Sequence, residues 1–275
     1  MLTCVSHIIN TCLFYTIINN FTKINQIMSI TNYPFESQAP GGFNDGEILE
    51  NRPVVLSHNP AHLLPYSNLF YWAHAWSESG STIGEHPHKG FEIITFILKG
   101  TIEHYDSHNM KWIPIGSGGA QIIRAGSGIS HAEKLNAGSH VFQVWFDPNI
   151  RKTMQAPATY NDYEQKDFPV TANNGFEIRQ YIGEGSPLKM ESPGITAVEI
   201  NFKEGSHKLG LNPEKISSLY LIEGEISTSG GKMKANDFAV IKDEKEFTFE
   251  TAEQGRLFLI ENPITVDYQT YAEMS

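Results

Sequence analysis

The chain has 275 residues, with 20 Lys or Arg against 31 Asp or Glu and a formal net charge of −11. Such a length can bury a substantial core, which excludes a disulfide miniprotein, and the acidic balance excludes a protein that holds nucleic acid by neutralising its phosphates. Hydrophobic residues at 40% and aromatics at 11% exclude a disordered chain.

The only cysteines, Cys4 and Cys12, fall in the first dozen residues, so no disulfide framework organises the rest and a reducing, cytoplasmic setting is expected. Asn10, Thr11, Thr16, Asn19 and Asn20 interrupt the apolar N-terminus, and no basic residue precedes Lys23. That pattern suits neither a secretory signal nor a membrane span. Residues 1–27 therefore read as an extension ahead of Met28, where ordinary soluble sequence begins.

From Asn68 onward, strand-like runs alternate with turn residues: LFYWAHAW, FEIITFIL, TIEHYD, KWIPI, AQIIRA and HVFQVWF. Short β-rich runs reversing at glycines predict an antiparallel sandwich or barrel, with helix confined to connections. Residues 147–163, DPNIRKTMQAPATYNDY, lose the pattern and read as a crossover. Strands resume with FEIRQYIG, GITAVEINF, SSLYLIEGEIST, KMKANDFAVI, EFTFET and GRLFLIEN. Laying ITFILKGTIE over LYLIEGEIST superposes Gly100 on Gly224, so the chain reads as two copies of one β-domain, residues 28–160 and 161–275.

Of eleven histidines, most have an ordinary explanation. His58, His62, His140 and His207 stand beside turn or loop residues, His108 lies in a turn and His7 in the extension. His74 reads as a hydrogen-bonded core residue. His104 and Asp106 share a strand at ligand parity but read as a solvated face.

GEHPHKGFE is different. Side chains two apart on a strand share a face, so His86 and His88 point the same way, with Pro87 suited to an edge. His131 and Glu133 in GSGISHAEK form a second pair of that parity. Three imidazoles and a carboxylate converging on one point suit a divalent transition ion, Fe(II), Ni, Cu, Zn or Mn, better than calcium. The same residues would also fit an exposed loop and a surface ion pair. By counting from Gly224 and along the AQIIRA match, the four positions fall in the second copy on Gly210, Asn212, Phe249 and Thr251, so all four donors are absent there.

HPHKGFEIITFILKGTIEHYDS and GAQIIRAGSGISHAEK resemble the two signature segments of the pirins, a bicupin branch of the cupin superfamily. The likeness runs from about Leu56 to Val240, although GSGGAQIIRAG lacks the acidic turn residue common in the family. The resemblance implies an all-β bicupin of two jelly-roll domains. One metal, usually iron, would be held in the first by the residues matching His86, His88, His131 and Glu133, and none in the second. It also implies either of two functions: oxidative cleavage of quercetin-like flavonols (quercetin 2,3-dioxygenase type), or regulation through a protein partner whose binding follows the redox state of the iron.

Four protein ligands leave open positions on a five- or six-coordinate ion, as turnover requires. Glu133, the one carboxylate of the set, is then the expected base. Phe91, Phe96 and Trp145 are candidate lining residues, while Glu92 and Glu103 are nearby acids without a role. The expected partners are a small aromatic substrate and a protein, with neither direct nucleic-acid contact nor membrane.

Overall fold

The computed structural model describes residues 30–107 and 110–274. The expected extension at 1–27, with Cys4, His7 and Cys12, and the turn residue His108 lie outside the described residues. The first half contains β1 (Ile30–Tyr33), β2 (Ala39–Phe43), β3 (Ile48–Val54), β4 (Leu69–Ser77), β5 (Ser81–His88), β6 (Glu92–Lys99), β7 (Thr101–Asp106), β8 (Trp112–Gly116), β9 (Ala120–Arg124), β10 (Ile129–Leu135), β11 (Ser139–Phe146) and β12 (Thr159–Tyr163). The second contains β13 (Val170–Asn173), β14 (Phe176–Ile182), β15 (Thr196–Phe202), β16 (Gly205–Gly210), β17 (Lys215–Glu223), β18 (Glu225–Thr228), β19 (Gly231–Lys234), β20 (Phe238–Ile241), β21 (Glu246–Thr251) and β22 (Gly255–Pro263). Among the described residues, no helix is long and apolar enough to cross a membrane.

These strands make the all-β bicupin that the sequence led us to expect. A seven-stranded sheet, ordered β12-β9-β6-β11-β4-β3-β2, accompanies a four-stranded one, β5-β10-β7-β8. The second half repeats the arrangement as β1-β20-β17-β22-β15-β14-β13 and β16-β21-β18-β19, and neither half closes into a barrel.

The near-continuous apolar run of β6 follows from its central place, buried on both faces. Ile93, Thr95 and Ile97 look into the first-half interior. Ile94, Phe96 and Leu98 look the other way, into a core shared by both halves with Trp72, Phe142, Tyr220, Phe238 and Phe258. Each such ring contributes roughly 1.5–3 kcal/mol on burial, so the two large sheets adhere along an aromatic layer. Glu92 adds a polar clasp: its buried carboxylate accepts from Glu191 N at 2.7 Å, Ser192 N at 2.8 Å and Ser192 Oγ at 2.5 Å. Burial raises its pKa, and those bonds oppose the rise.

Three features depart from expectation. Strands begin at Ile30, well before Asn68, and β1 pairs with β20, so a strand from the start of the chain completes the sheet of the second half. The 147–163 segment is not wholly irregular. It holds a one-turn helix, Ile150–Thr153, and β12, whose polar TYNDY gives no hydrophobic alternation yet pairs with β9. Finally, the repeat is offset from the counted alignment. Gly100 and Gly224 do occupy equivalent hairpin turns, both with positive φ (78° and 94°), and Phe96↔Ala120 matches Tyr220↔Phe238. Beyond these anchors, connections of unequal length shift the register, with consequences for the site.

Candidate metal centre

β5 is an edge strand paired only with β10, which leaves Pro87 without a ladder partner on its free side. In that ladder His131 stands opposite His86, and Ile129 opposite His88. The pairing gathers His86, His88 and His131, each with one ring nitrogen within 4.8 Å of the others. Their ring centroids lie 4.4–4.8 Å apart.

The donor chemistry fits a cation. Nε2 of His88 and Nε2 of His131 are buried and make no hydrogen bond, which is costly unless something accepts their lone pairs. His86 Nδ1 lies 2.8 Å from the Gly84 carbonyl, so Nδ1 carries the proton and Nε2 is the free donor. Burial pushes the pKa of His88 and that of His131 down to about 3, keeping both rings neutral and able to ligate.

Glu133 is near this group but outside it. The register shift in the β10–β5 ladder is an extra residue on β5, since Ile83 and His86 face Glu133 and His131, while β10 stays in regular register with β7. The buried Glu133 carboxylate accepts from Gln143 Nε2 at 2.9 and 2.7 Å and from Thr95 Oγ1 at 3.3 Å. Gln143 is itself oriented by Trp145, whose indole N–H donates to Gln143 Oε1 at 3.1 Å.

An aromatic wall borders the histidines. His88 meets Phe91 and Trp145 edge-on at 5.4 and 5.3 Å, and those two rings stack at 5.1 Å. Phe70 and Tyr271 extend the wall, and Tyr271 comes from the chain's last described turn. Phe96 does not line the site. It faces the shared core, packed on Tyr181 and Phe258. Glu103 is paired with Lys134 at 2.6 Å, away from the cluster.

Three histidines read from sequence as solvated or as beside turn and loop residues lie on strands and are at least half-buried. His104 is fully buried, with Nε2 3.2 Å from His131 Nδ1, and burial lowers its pKa to about 4. His140 sits on β11, half-buried, 3.2 Å from His74 Nε2. His207 likewise lies on β16, half-buried, not in a turn. The signal for His104 was its parity with Asp106; what sequence could not show is that this face of β7 is covered, with the His104 ring packed against His131 and Tyr160. His74 is a hydrogen-bonded core residue, 3.1 Å from Tyr220 Oη.

In the second half, Thr228 pairs with Phe249 as His104 pairs with Glu133. Leu209 faces Phe247 as His86 faces His131, and Leu211 N bonds to Lys245 O. The equivalents of His86, His88, His131 and Glu133 are therefore Leu209, Leu211, Phe247 and Phe249, correcting the counted Gly210, Asn212, Phe249 and Thr251. All four are buried and belong to one core cluster.

Comparison with known proteins agrees with this architecture. The Pirin family model matches residues 61–146. A pirin-like protein of Caulobacter vibrioides is 30% identical over 185 residues, which is 64% of this chain and 75% of that protein. Quercetin 2,3-dioxygenase of Escherichia coli (strain K12) is 27% identical over 190 residues, 68% of this chain and 78% of the relative. A bacterial pirin from Escherichia coli, solved in complex with nickel(II), shares the fold with TM-score 0.69 at 22% identity, covering 86% of this chain and 100% of that one.

Proposed function

Because this chain belongs to the pirin family, we propose that it is a metal-dependent dioxygenase acting on quercetin-like flavonols, with His86, His88, His131 and Glu133 as the metal ligands. The observation that carries this reading is the cluster of three imidazoles beside an aromatic wall. A metal ion alone would serve a structural site equally well; a flat, apolar wall against it suits a planar aromatic substrate. Relatives named quercetin 2,3-dioxygenase support the substrate class, and the nickel(II) complex of a neighbour supports a divalent ion. Fe(II) is our choice among Fe, Ni, Cu, Zn and Mn, in a cytoplasmic setting.

When bound, the ion supplies a Lewis acid and a centre at which oxygen and substrate meet. The chain's own residues do the rest. Phe91 and Trp145 hold the substrate rings, and their apolar faces exclude water. Glu133, kept in place by Gln143 and Thr95, takes the proton of the substrate's hydroxyl at a carboxylate oxygen.

The test is oxygen uptake with quercetin by protein reconstituted with Fe(II) or Ni(II), rates being expressed per bound ion. Uptake that disappears in Glu133→Gln at equal metal occupancy is the expected result. Metal-replete protein that consumes no oxygen with any flavonol would overturn the reading and leave the redox-dependent, protein-binding regulator in its place.

A further inference from the structure

We propose that His104 and Asp106 are positioning residues that set the tautomer of His131 and thereby its affinity for metal. This rests on the reading of His86, His88 and His131 as ligands. In the β10–β7 ladder Asp106 stands opposite His131, and His104 opposite Glu133. All four side chains are buried, so the hydrogen bond between His104 and His131 is not exchanged for bonds to water.

A neutral imidazole carries one N–H and one lone pair. His131 can present its lone pair at Nε2, the nitrogen in the cluster, only if its proton sits on Nδ1. Nδ1 lies 3.2 Å from His104 Nε2, which must then be bare to accept, and the proton of His104 must sit on Nδ1. That nitrogen makes no hydrogen bond, and it faces Asp106 Oδ2 at 4.0 Å.

A buried carboxylate there favours the N–H dipole that points at it. The reverse arrangement has His104 donating from Nε2 and His131 carrying its proton on Nε2, which removes a lone pair from the cluster. One proton position in the His131–His104 pair therefore decides whether the site has three imidazole donors or two.

The His104 ring is held for this task. Tyr160 stacks on it at 4.9 Å and 21°. Tyr160 Oη in turn donates to Asp162, a carboxylate that also accepts from Gln121 at 3.1 Å. β12, the polar strand that gave no signal in the sequence, is what supplies Tyr160 and Asp162. In the second half, where the ligand positions are apolar, the position of His104 is Thr228.

The experiment measures Ni(II) affinity of the full chain by chelator competition, with imidazole nitrogen NMR of the metal-free and Zn(II)-loaded wild type. His104→Phe should weaken Ni(II) binding by about 10–100-fold. His104→Gln, whose amide oxygen can accept from His131 Nδ1, should recover most of that loss. Asp106→Asn should fall between, and NMR of the metal-free wild type should show both His131 and His104 protonated on Nδ1. Wild-type affinity in a folded His104→Phe variant, or equal losses in the Phe and Gln variants, would overturn the proposal. If His104→Phe does not fold, the metal-free spectrum decides, and a His131 protonated on Nε2 refutes it. A wild type that binds no Ni(II) or Zn(II) would instead refute the ligand reading, a separate outcome.

Discussion

The two halves of the molecule present the same interior positions with opposite chemistry. His86, His88, His131 and Glu133 of the first half correspond to Leu209, Leu211, Phe247 and Phe249 of the second. The second set shows what these inward-facing positions hold when only stability matters, a dry cluster that includes Met233, Ile226 and Leu221. The first half replaces that cluster with polar groups, two of which, His88 and His131, have an Nε2 that no hydrogen bond meets inside the protein. A binding site in this fold is thus a local exchange of core stability for donors, and the aromatic layer between the halves carries adhesion for both.

The largest expected effect is the loss of metal from one half without disturbance of the other. His88→Ala should weaken Ni(II) binding by more than the ~100-fold typical of an outer partner, while hydrogen exchange in β15 and β22 stays as in the wild type. Retained affinity would break the assignment of function to the first half. Next is Phe247→Ala, which opens a cavity in the second half. It should cost about 3–5 kcal/mol in urea unfolding and leave metal stoichiometry untouched.

The double variant Leu209→His, Leu211→His sharpens the comparison further. It should lose on the order of 1–3 kcal/mol per buried imidazole and acquire no second tight ion, because Phe247 and Phe249 still fill the opposite wall. Calorimetry showing a second tight site would refute the register on which the comparison rests.

The smallest effect concerns acid. Burial lowers the pKa of His74 from 6.5 to about 3, so its neutral form is a folded-state property. The stabilisation is fully present above the unfolded value near 6.5 and is lost as pH falls towards 3, since only the unfolded chain takes up the proton in that window. One such group contributes a slope of up to ~1.4 kcal/mol per pH unit. His74→Phe should flatten the acid limb of unfolding free energy by that amount, whatever it does to stability at neutral pH. Among the described residues the second half has no fully buried histidine, so the apolar replacement Phe247→Ala should leave this histidine contribution to the slope unchanged.

Much of this was legible locally. The period-two spacing of His86 with His88 and of His131 with Glu133 survives any arrangement of the strands, because the pleat alone sets which side chains share a face. The glycine-marked hairpins at Gly100 and Gly224 disclosed the duplication for the same reason. β1, β2 and β12 were not legible: ITNY, APGGF and TYNDY are edge segments with little apolar alternation, and their strand character comes from the ladders they join.

By itself, then, the sequence determined an all-β chain in two copies and the residue types able to meet a transition ion. The tertiary structure decided which residue stands across from which, and therefore what is buried. Pairing register depends on turn lengths and bulges far apart in the chain, such as the extra residue of β5 between Ile83 and His86, beyond which His86 stands opposite His131. Burial of His104 behind His131 has the same origin, since only the packing of β7 against β10 and β12 turns a strand face that could have met water into the inner wall of the site.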